Sequence, residues 1–484
     1  MLSSIVGVGA AQEYYVSNHR RLNRSIAVEM KTVLKKIVFL LLQDVYFTLD
    51  RDRVLFCTCT VCDNSLFVYT SYLISINLSR LLRHKKYNEG RWLFLPLGIT
   101  AMLCLGTVYS WSIFRKPLTE AFKQQGMTIG ATDTLLPFAI LLVVFAILMP
   151  ISSRYIERYG ASKVTAVGGT IVGLGYFLSS FATSIPLLIV TYGLIAGAGI
   201  GIVYGVPISV TARWFPDLKG LTVGLTVVGF GLSPLITAPL AKFLIDTYGI
   251  DSTFRILGIA FTVILVAIAT QLRFPPADWQ PSPHIASRAD PKPDRLLSSP
   301  SFFALWICYA IGTLAGLMAV GIATNVGKEI VGLDTDTATA SVSIFAIFNG
   351  LGRPIFGWLT DRIKPKMAAI LSYVMILVAS IVMLNTGKGQ VINYFFAFSL
   401  LWLSLGGWLA IAPTATLSMF NPVNYTKNYG IVFTAYGAGA LAGTLVAGNA
   451  KDIFGSYTNA FIPTAILSIL GILIATFALK PDPK

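Results

Sequence analysis

Arg353 is the residue whose type and position most constrain the chemistry of this chain. It stands in an apolar run, 338–359, eight residues before Asp361, which marks the end of that run. At about 1.5 Å per helical residue it lies about 12 Å inside that boundary. The hydrocarbon core of a bilayer is about 30 Å thick, so this depth is close to its middle. A guanidinium there costs about 2.5–3.5 kcal/mol even on insertion scales, so it must face an interior cavity. The neighbouring runs hold no deep Asp or Glu to neutralise it. Such an arginine is an anchor for a substrate anion. Pro354 beside it loosens the local backbone ladder. Asn349, one helical turn earlier, can hydrogen-bond a carboxylate but cannot carry a proton near neutral pH. Tyr204 is nine residues inside Arg213 and Tyr436 nine residues inside Lys427. Both therefore sit about 13 Å deep. An arginine with aromatic walls holds a carboxylate and excludes water, although each aromatic alone is explained as well by helix packing.

The elements that must position these residues are membrane helices. The 484 residues are 55% hydrophobic and only 12% charged, against about 25% charged in soluble domains. Apolar runs long enough to span predict twelve helices, roughly 92–114, 133–153, 163–183, 186–211, 219–244, 253–273, 300–325, 338–359, 367–386, 391–418, 428–450 and 457–479. The segment 275–299, rich in Pro and charge, reads as a cytoplasmic linker between an N-terminal half, 91–274, and a C-terminal half, 300–484. Residues 1–90 are of mixed character and read as a non-homologous extension, or as the product of a start codon placed too early. The net charge of +15 sits in short links between the runs and not on a basic face. That distribution excludes nucleic acid and follows the positive-inside rule, with Arg115, Lys116 and Lys123 in the 1–2 link as the main exception. Cys57, Cys59 and Cys62 cluster near the N-terminus without a second ligand pair, so they read as incidental thiols.

The two halves repeat. Ser153-Arg-Tyr-Ile-Glu157-Arg158-Tyr-Gly160 follows the second run, and Gly357-Trp-Leu-Thr-Asp361-Arg362 follows the eighth, 204 residues later. Gly224, Asp246 and Gly249 match Gly430, Asp452 and Gly455 at 206 residues, and Phe230 is the counterpart of Tyr436 at the same offset. Parallel six-helix repeats are a transporter architecture with the substrate at the repeat interface. Glu157, Arg158, Asp361 and Arg362 are gating candidates: the acids can accept from a helix N-terminus or from an Arg in the opposite half and latch the cytoplasmic side.

That acidic–Arg turn resembles the signature loop of the major facilitator superfamily. Gly106-Thr-Val-Tyr109-Ser-Trp111, Gly197-Ala-Gly-Ile-Gly-Ile-Val-Tyr204-Gly205, Arg213-Trp-Phe-Pro-Asp-Leu-Lys-Gly-Leu221, Asn349-Gly-Leu-Gly-Arg353-Pro-Ile-Phe-Gly and Asn428-Tyr-Gly430 are similar to the oxalate:formate antiporter family within it. The likeness runs from about Arg91 to the C-terminus. Oxalate-binding members of that family pair two cations, in helices 8 and 11, inside an aromatic box. The resemblance puts Arg353 at the first cation position and Tyr109 and Tyr204 in the box. It puts Tyr436 at the second cation position, and Phe230 and Leu405 where the box has Tyr and Trp. A single cation balances a monoanion but leaves a dianion poorly compensated. More distantly, the chain resembles proton-linked monocarboxylate transporters, some of which carry an acid where Asn349 stands.

The expectation is thus an all-α membrane protein, twelve helices in two six-helix pseudo-repeats, monomeric in the plasma membrane, with both ends of the twelve-helix body cytoplasmic. It would move a small organic anion such as lactate, pyruvate or formate by alternating access, with a counter-anion or a proton. The alternatives are oxalate or dicarboxylate exchange and, behind these, a non-transporting sensor. Any coupling acid would lie at a boundary, Glu329 or Asp334. The three His lie outside the spans and no nucleophile–base pair occurs within them, so neither enzyme chemistry nor a cofactor is expected.

Overall fold

A computed structural model describes residues 90–276, 296–420 and 425–479. The N-terminal extension, its cysteines and most of the linker lie outside these. Among the described residues, nine continuous helical stretches are long and apolar enough to cross a membrane. Three of them turn on one residue of positive φ, Gly160, Gly249 or Lys364, and each divides there into two rods, which gives twelve. They are α1 (Arg91–Gln124), α2 (Ala131–Tyr159), α3 (Ala161–Ser179), α4 (Ile185–Trp214), α5 (219–248), α6 (250–271), α7 (Pro300–Val331), α8 (335–363), α9 (365–384), α10 (Val391–Met419), α11 (Tyr425–Phe454) and α12 (Tyr457–Phe477). The twelve expected spans correspond to these helices one for one.

Burial follows the demands of a bilayer. Tyr, Trp and small residues fill the interior, whereas Val167, Ile236, Val263 and Ile466 stand exposed on the outer surface. Apolar side chains facing outward match a hydrocarbon solvent. Helices that leave no backbone group unpaired are what such a solvent permits.

The repeat is written in backbone conformation as well as in sequence. Gly126 and Gly332, Gly160 and Lys364, and Gly249 and Gly455 are paired at 206, 204 and 206 residues, and all six have positive φ. They are the turns that close corresponding helices. Lys364 is the only non-glycine among the described residues with φ above zero, at φ 71 and ψ 155. Pro365 behind it favours the extended ψ, but the positive φ belongs to a region that is essentially glycine's own.

One expectation about α1 is corrected. Arg115, Lys116 and Lys123 are not in a loop: the helix runs on to Gln124. Leu118 and Phe122 are buried, while Lys116 and Lys123 are exposed. The charges obscured an amphipathic last stretch.

Lys364→Gly should stabilise the protein by about 1 kcal/mol, because relief of about 1–3 kcal/mol of backbone strain exceeds the entropic cost of glycine, about 0.5–1 kcal/mol. Thermal unfolding in detergent measures this. Lys364→Ala, which keeps the strain and removes only the charge, should show no such gain.

Candidate substrate site

Glycines set the close approaches that bring the central residues together. A Cβ on Gly106 would stand 2.3 Å from the carbonyl oxygen of Phe230, so α1 and α5 touch backbone to backbone there. Just beyond, residues Gly106–Ser110 tighten into a 3₁₀ turn, which carries Tyr109. Tyr109 meets Phe230 edge-on at 5.0 Å between ring centroids. Gly231, next along α5, leaves the space that Asn349 and Arg353 fill: a Cβ there would lie 2.5 Å from Asn349 Oδ1 and 3.2 Å from Arg353 Nη2.

Arg353 is 5% exposed. Its Nη1 donates to the carbonyl oxygen of Val227 on α5 and its Nη2 donates to Asn349 Oδ1 at 3.4 Å. Asn349 Nδ2 in turn donates to Trp402 O at 3.2 Å, which orients the amide with its oxygen toward the guanidinium. Arg353 Nε has no partner, and among the described residues no carboxylate pairs with this arginine. A cation buried with neutral acceptors and an unused N–H is suited to an anion.

The aromatic residues form one continuous wall. Tyr109 and Tyr436 share a hydroxyl–hydroxyl hydrogen bond of 2.7 Å. Tyr204 meets Phe230 at 5.3 Å. All six residues singled out in the sequence thus fall in one neighbourhood. Phe145 on α2, Trp402 on α10 and Phe433 on α11 join them and were missed: Phe145 touches Tyr204 at 4.9 Å, Trp402 faces Tyr109 at 6.4 Å, and Phe433 stacks on Tyr436 at 5.0 Å. Helical spacing held the signal for two of them. Phe433 is three residues before Tyr436, and Trp402 three before Leu405, so each shares a face with a named position. Leu405 itself is buried against Gly316 of α7.

The gating candidates lie together at one end of the molecule. Glu157 pairs with Arg213 of its own half, and Asp361 is exposed without an ion pair among the described residues. Arg158 and Arg362 lie over Tyr159 and Trp358, at 5.4 and 5.8 Å. At the end carrying these turns, the basic end, Arg91 with Asp217, at 2.7 Å, is a second ion pair within the N-terminal half. Charged contacts between halves are seen at the opposite end. There Lys242 on α5 reaches Asp336 on α8 at 3.0 Å, and Asp452 on α11 accepts from the N-terminus of α2, from Ala131 N at 2.6 Å, Thr132 N at 2.9 Å and Thr132 Oγ1 at 2.6 Å. A carboxylate at the positive end of a helix dipole is well placed. A cavity of about 750 Å³ opens at this end, with Ser112, Arg115, Lys328 and Asp452 on its walls.

The boundary acids are committed elsewhere. Asp334 caps α8, accepting from the Thr337 hydroxyl and from the backbone N–H groups of Thr337 and Asp336, which hold it below the usual carboxylate value. Glu329 pairs with Lys451 at 2.5 Å. Asp452→Asn, which removes the charge facing the N-terminus of α2, should lower thermal stability in detergent by about 1 kcal/mol; an unchanged melting temperature would remove Asp452 from this contact.

The chain matches the Major Facilitator Superfamily over residues 97–424 and 305–484. It is 28% identical over 391 residues to the oxalate:formate antiporter of Oxalobacter formigenes, covering 80% of this chain and 91% of that protein. It is 24% identical to monocarboxylate transporter 13 of Bos taurus, covering 79% and 88%. Its fold is similar to that of a bacterial homologue of the human lysosomal transporter Spinster in an inward-facing, occupied conformation, with a TM-score of 0.62 at 13% identity over 81% of this chain and 97% of that one. The twelve helices, their repeat and the match along nearly the whole described body make this chain a secondary transporter of the Major Facilitator Superfamily.

Proposed function

We propose that the cargo is a small monocarboxylate, bound at Arg353 and carried by alternating access. The observation that carries this reading is the buried guanidinium of Arg353, with an unused N–H and no carboxylate partner among the described residues. Tyr436 stands where the related oxalate binders are expected to hold a second cation, so one negative charge is balanced and a second is not. The basic turns orient the body with both termini in the cytoplasm of a cell bounded by the plasma membrane, and Glu157, Arg158, Asp361 and Arg362 act as a gate when that end closes. With Asp334 and Glu329 engaged in capping and pairing, exchange against a second anion, or co-transport of a proton that does not use them, fits better than a relay through these acids. Similarity to an oxalate:formate antiporter favours a second reading, exchange of a dicarboxylate.

Counterflow of labelled formate, lactate, pyruvate and oxalate in proteoliposomes, with and without a pH gradient, separates these readings and distinguishes a transporter from a sensor. Wild type should exchange monocarboxylates in preference to oxalate. Arg353→Ala should lower uptake about 100-fold, the loss of one or two charge-assisted hydrogen bonds at about 1.5–3 kcal/mol each. Arg353→Lys should not restore it, since a point charge does not reproduce the guanidinium fork. Tyr436→Lys should shift preference toward oxalate, and an unshifted ratio would refute the one-cation argument.

A further inference from the structure

Arg115 breaks the charge pattern of the chain and is not used by the site above. It is 2% exposed, near the outer end of α1 and six residues beyond Tyr109, or about 9 Å along the helix. All five of its N–H groups are satisfied, and every acceptor is neutral. Nε donates to Thr134 Oγ1 at 3.2 Å and Nη2 to Ala131 O at 3.1 Å, both on α2 of its own half. The remaining three bonds cross to the other half: Nη1 to Gly321 O at 3.3 Å and Asn325 Oδ1 at 3.2 Å on α7, and Nη2 to Tyr457 Oη at 3.0 Å on α12.

Two features give this geometry a direction. Gly321 lies 206 residues after Arg115, the repeat offset itself, so Arg115 touches its own repeat mate. A residue that does so lies on the pseudo-twofold axis, which in parallel repeats runs along the membrane normal through the transport route. The bonds also divide by edge. Those within its own half hold Nε and one side of Nη2, while those across the halves occupy both Nη1 protons and the facing Nη2 proton. When the halves part, the Nη1–Nη2 edge is uncovered while the guanidinium stays tethered to α2. That edge presents two parallel N–H groups and can bind a carboxylate in bidentate fashion.

The cavity before it is suited to draw anions in. Its walls carry six cations, Arg115 and Lys328 among them, against four acids, Glu120, Asp246, Glu329 and Asp452. Lys116, Lys242 and Lys451 are paired with acids, whereas Lys328 makes no ion pair among the described residues. An excess of positive charge in a cleft raises the local concentration of anions.

We propose that Arg115 is a second anion site: a small carboxylate entering by this cavity replaces the three cross-half acceptors of Arg115 and so unlocks the route to Arg353. The identity of the anion rests on the monocarboxylate reading; the anion site itself does not.

The test has two arms, run on the full chain in proteoliposomes. In the first, KM for formate and lactate is measured from each side of the membrane. Arg115→Gln should raise KM about tenfold from the cavity side and much less from the basic side; an equal rise from both sides would make Arg115 merely structural. The second arm needs no knowledge of the cargo. Thr119→Cys places a thiol on the cavity wall one turn beyond Arg115, with Cys57, Cys59 and Cys62 changed to Ser; Cys104 and Cys308 are already buried. The ratio of its reaction rates with an anionic sulfonate and a cationic ammonium thiosulfonate reagent should fall about fivefold in Arg115→Gln and hold in Arg115→Lys. An unchanged ratio in Arg115→Gln overturns the proposal. Tyr457→Phe, which retains the guanidinium and removes one cross-half acceptor, should speed labelling and serves if Arg115→Gln does not fold; unaltered labelling there overturns the lock. Wild type that transports none of the tested carboxylates would sink the monocarboxylate reading, leaving the labelling arm to decide Arg115.

Discussion

A guanidinium in the middle of a membrane cannot discard its charge, and much of the central architecture accommodates that fact. Arg353 must be surrounded by acceptors, and lipid supplies none. The structure meets this with a carbonyl from α5 and an amide from its own helix, which α10 holds in orientation. Those contacts require α5, α8 and α10 to converge. They converge where the side chains vanish: Gly231 on α5 faces the arginine, and Gly352 and Gly406 let α8 and α10 touch backbone to backbone. These three glycines are thus tied to one ionised group.

Charged groups bond differently at the two ends of the molecule. At the basic end the ion pairs Glu157–Arg213 and Arg91–Asp217 strengthen the N-terminal half internally. At the far end Arg115, Lys242 and Asp452 join one half to the other. Rocking of the halves therefore has different consequences at its two ends. Separation at the far end breaks charged bonds, whereas separation at the basic end leaves these two ion pairs intact.

Twelve spans were legible in the sequence because apolar length alone carries them, and the repeat was legible because the turns that close its helices keep their residues. Arg353 was legible because depth follows from counting residues to a charged boundary. The partners of charges were not. Glu157 could accept from a helix N-terminus or from an Arg of the opposite half; its pairing here with Arg213 follows from the packing of α2 on α4, which sequence spacing does not encode. Arg115 was hidden for a related reason. A short amphipathic stretch rich in Lys reads as a link, and burial of its arginine depends on acceptors from α7 and α12, some 200 and 340 residues away. Trp402 and Phe433 had a weaker signal, a shared helical face with positions already of interest.

The hydroxyl pair of Tyr109 and Tyr436 has a consequence in proton stoichiometry. Two phenols bring two protons, and the bond between them uses one. One hydroxyl proton therefore remains to be offered, beside the unused Nε proton of Arg353. Phe230, the mate of Tyr436 in the other half, contributes none. The donors of this neighbourhood are thus of two kinds, a neutral hydroxyl and the N–H groups of a fixed cation, so its hydrogen-bonding capacity does not rest on the guanidinium alone.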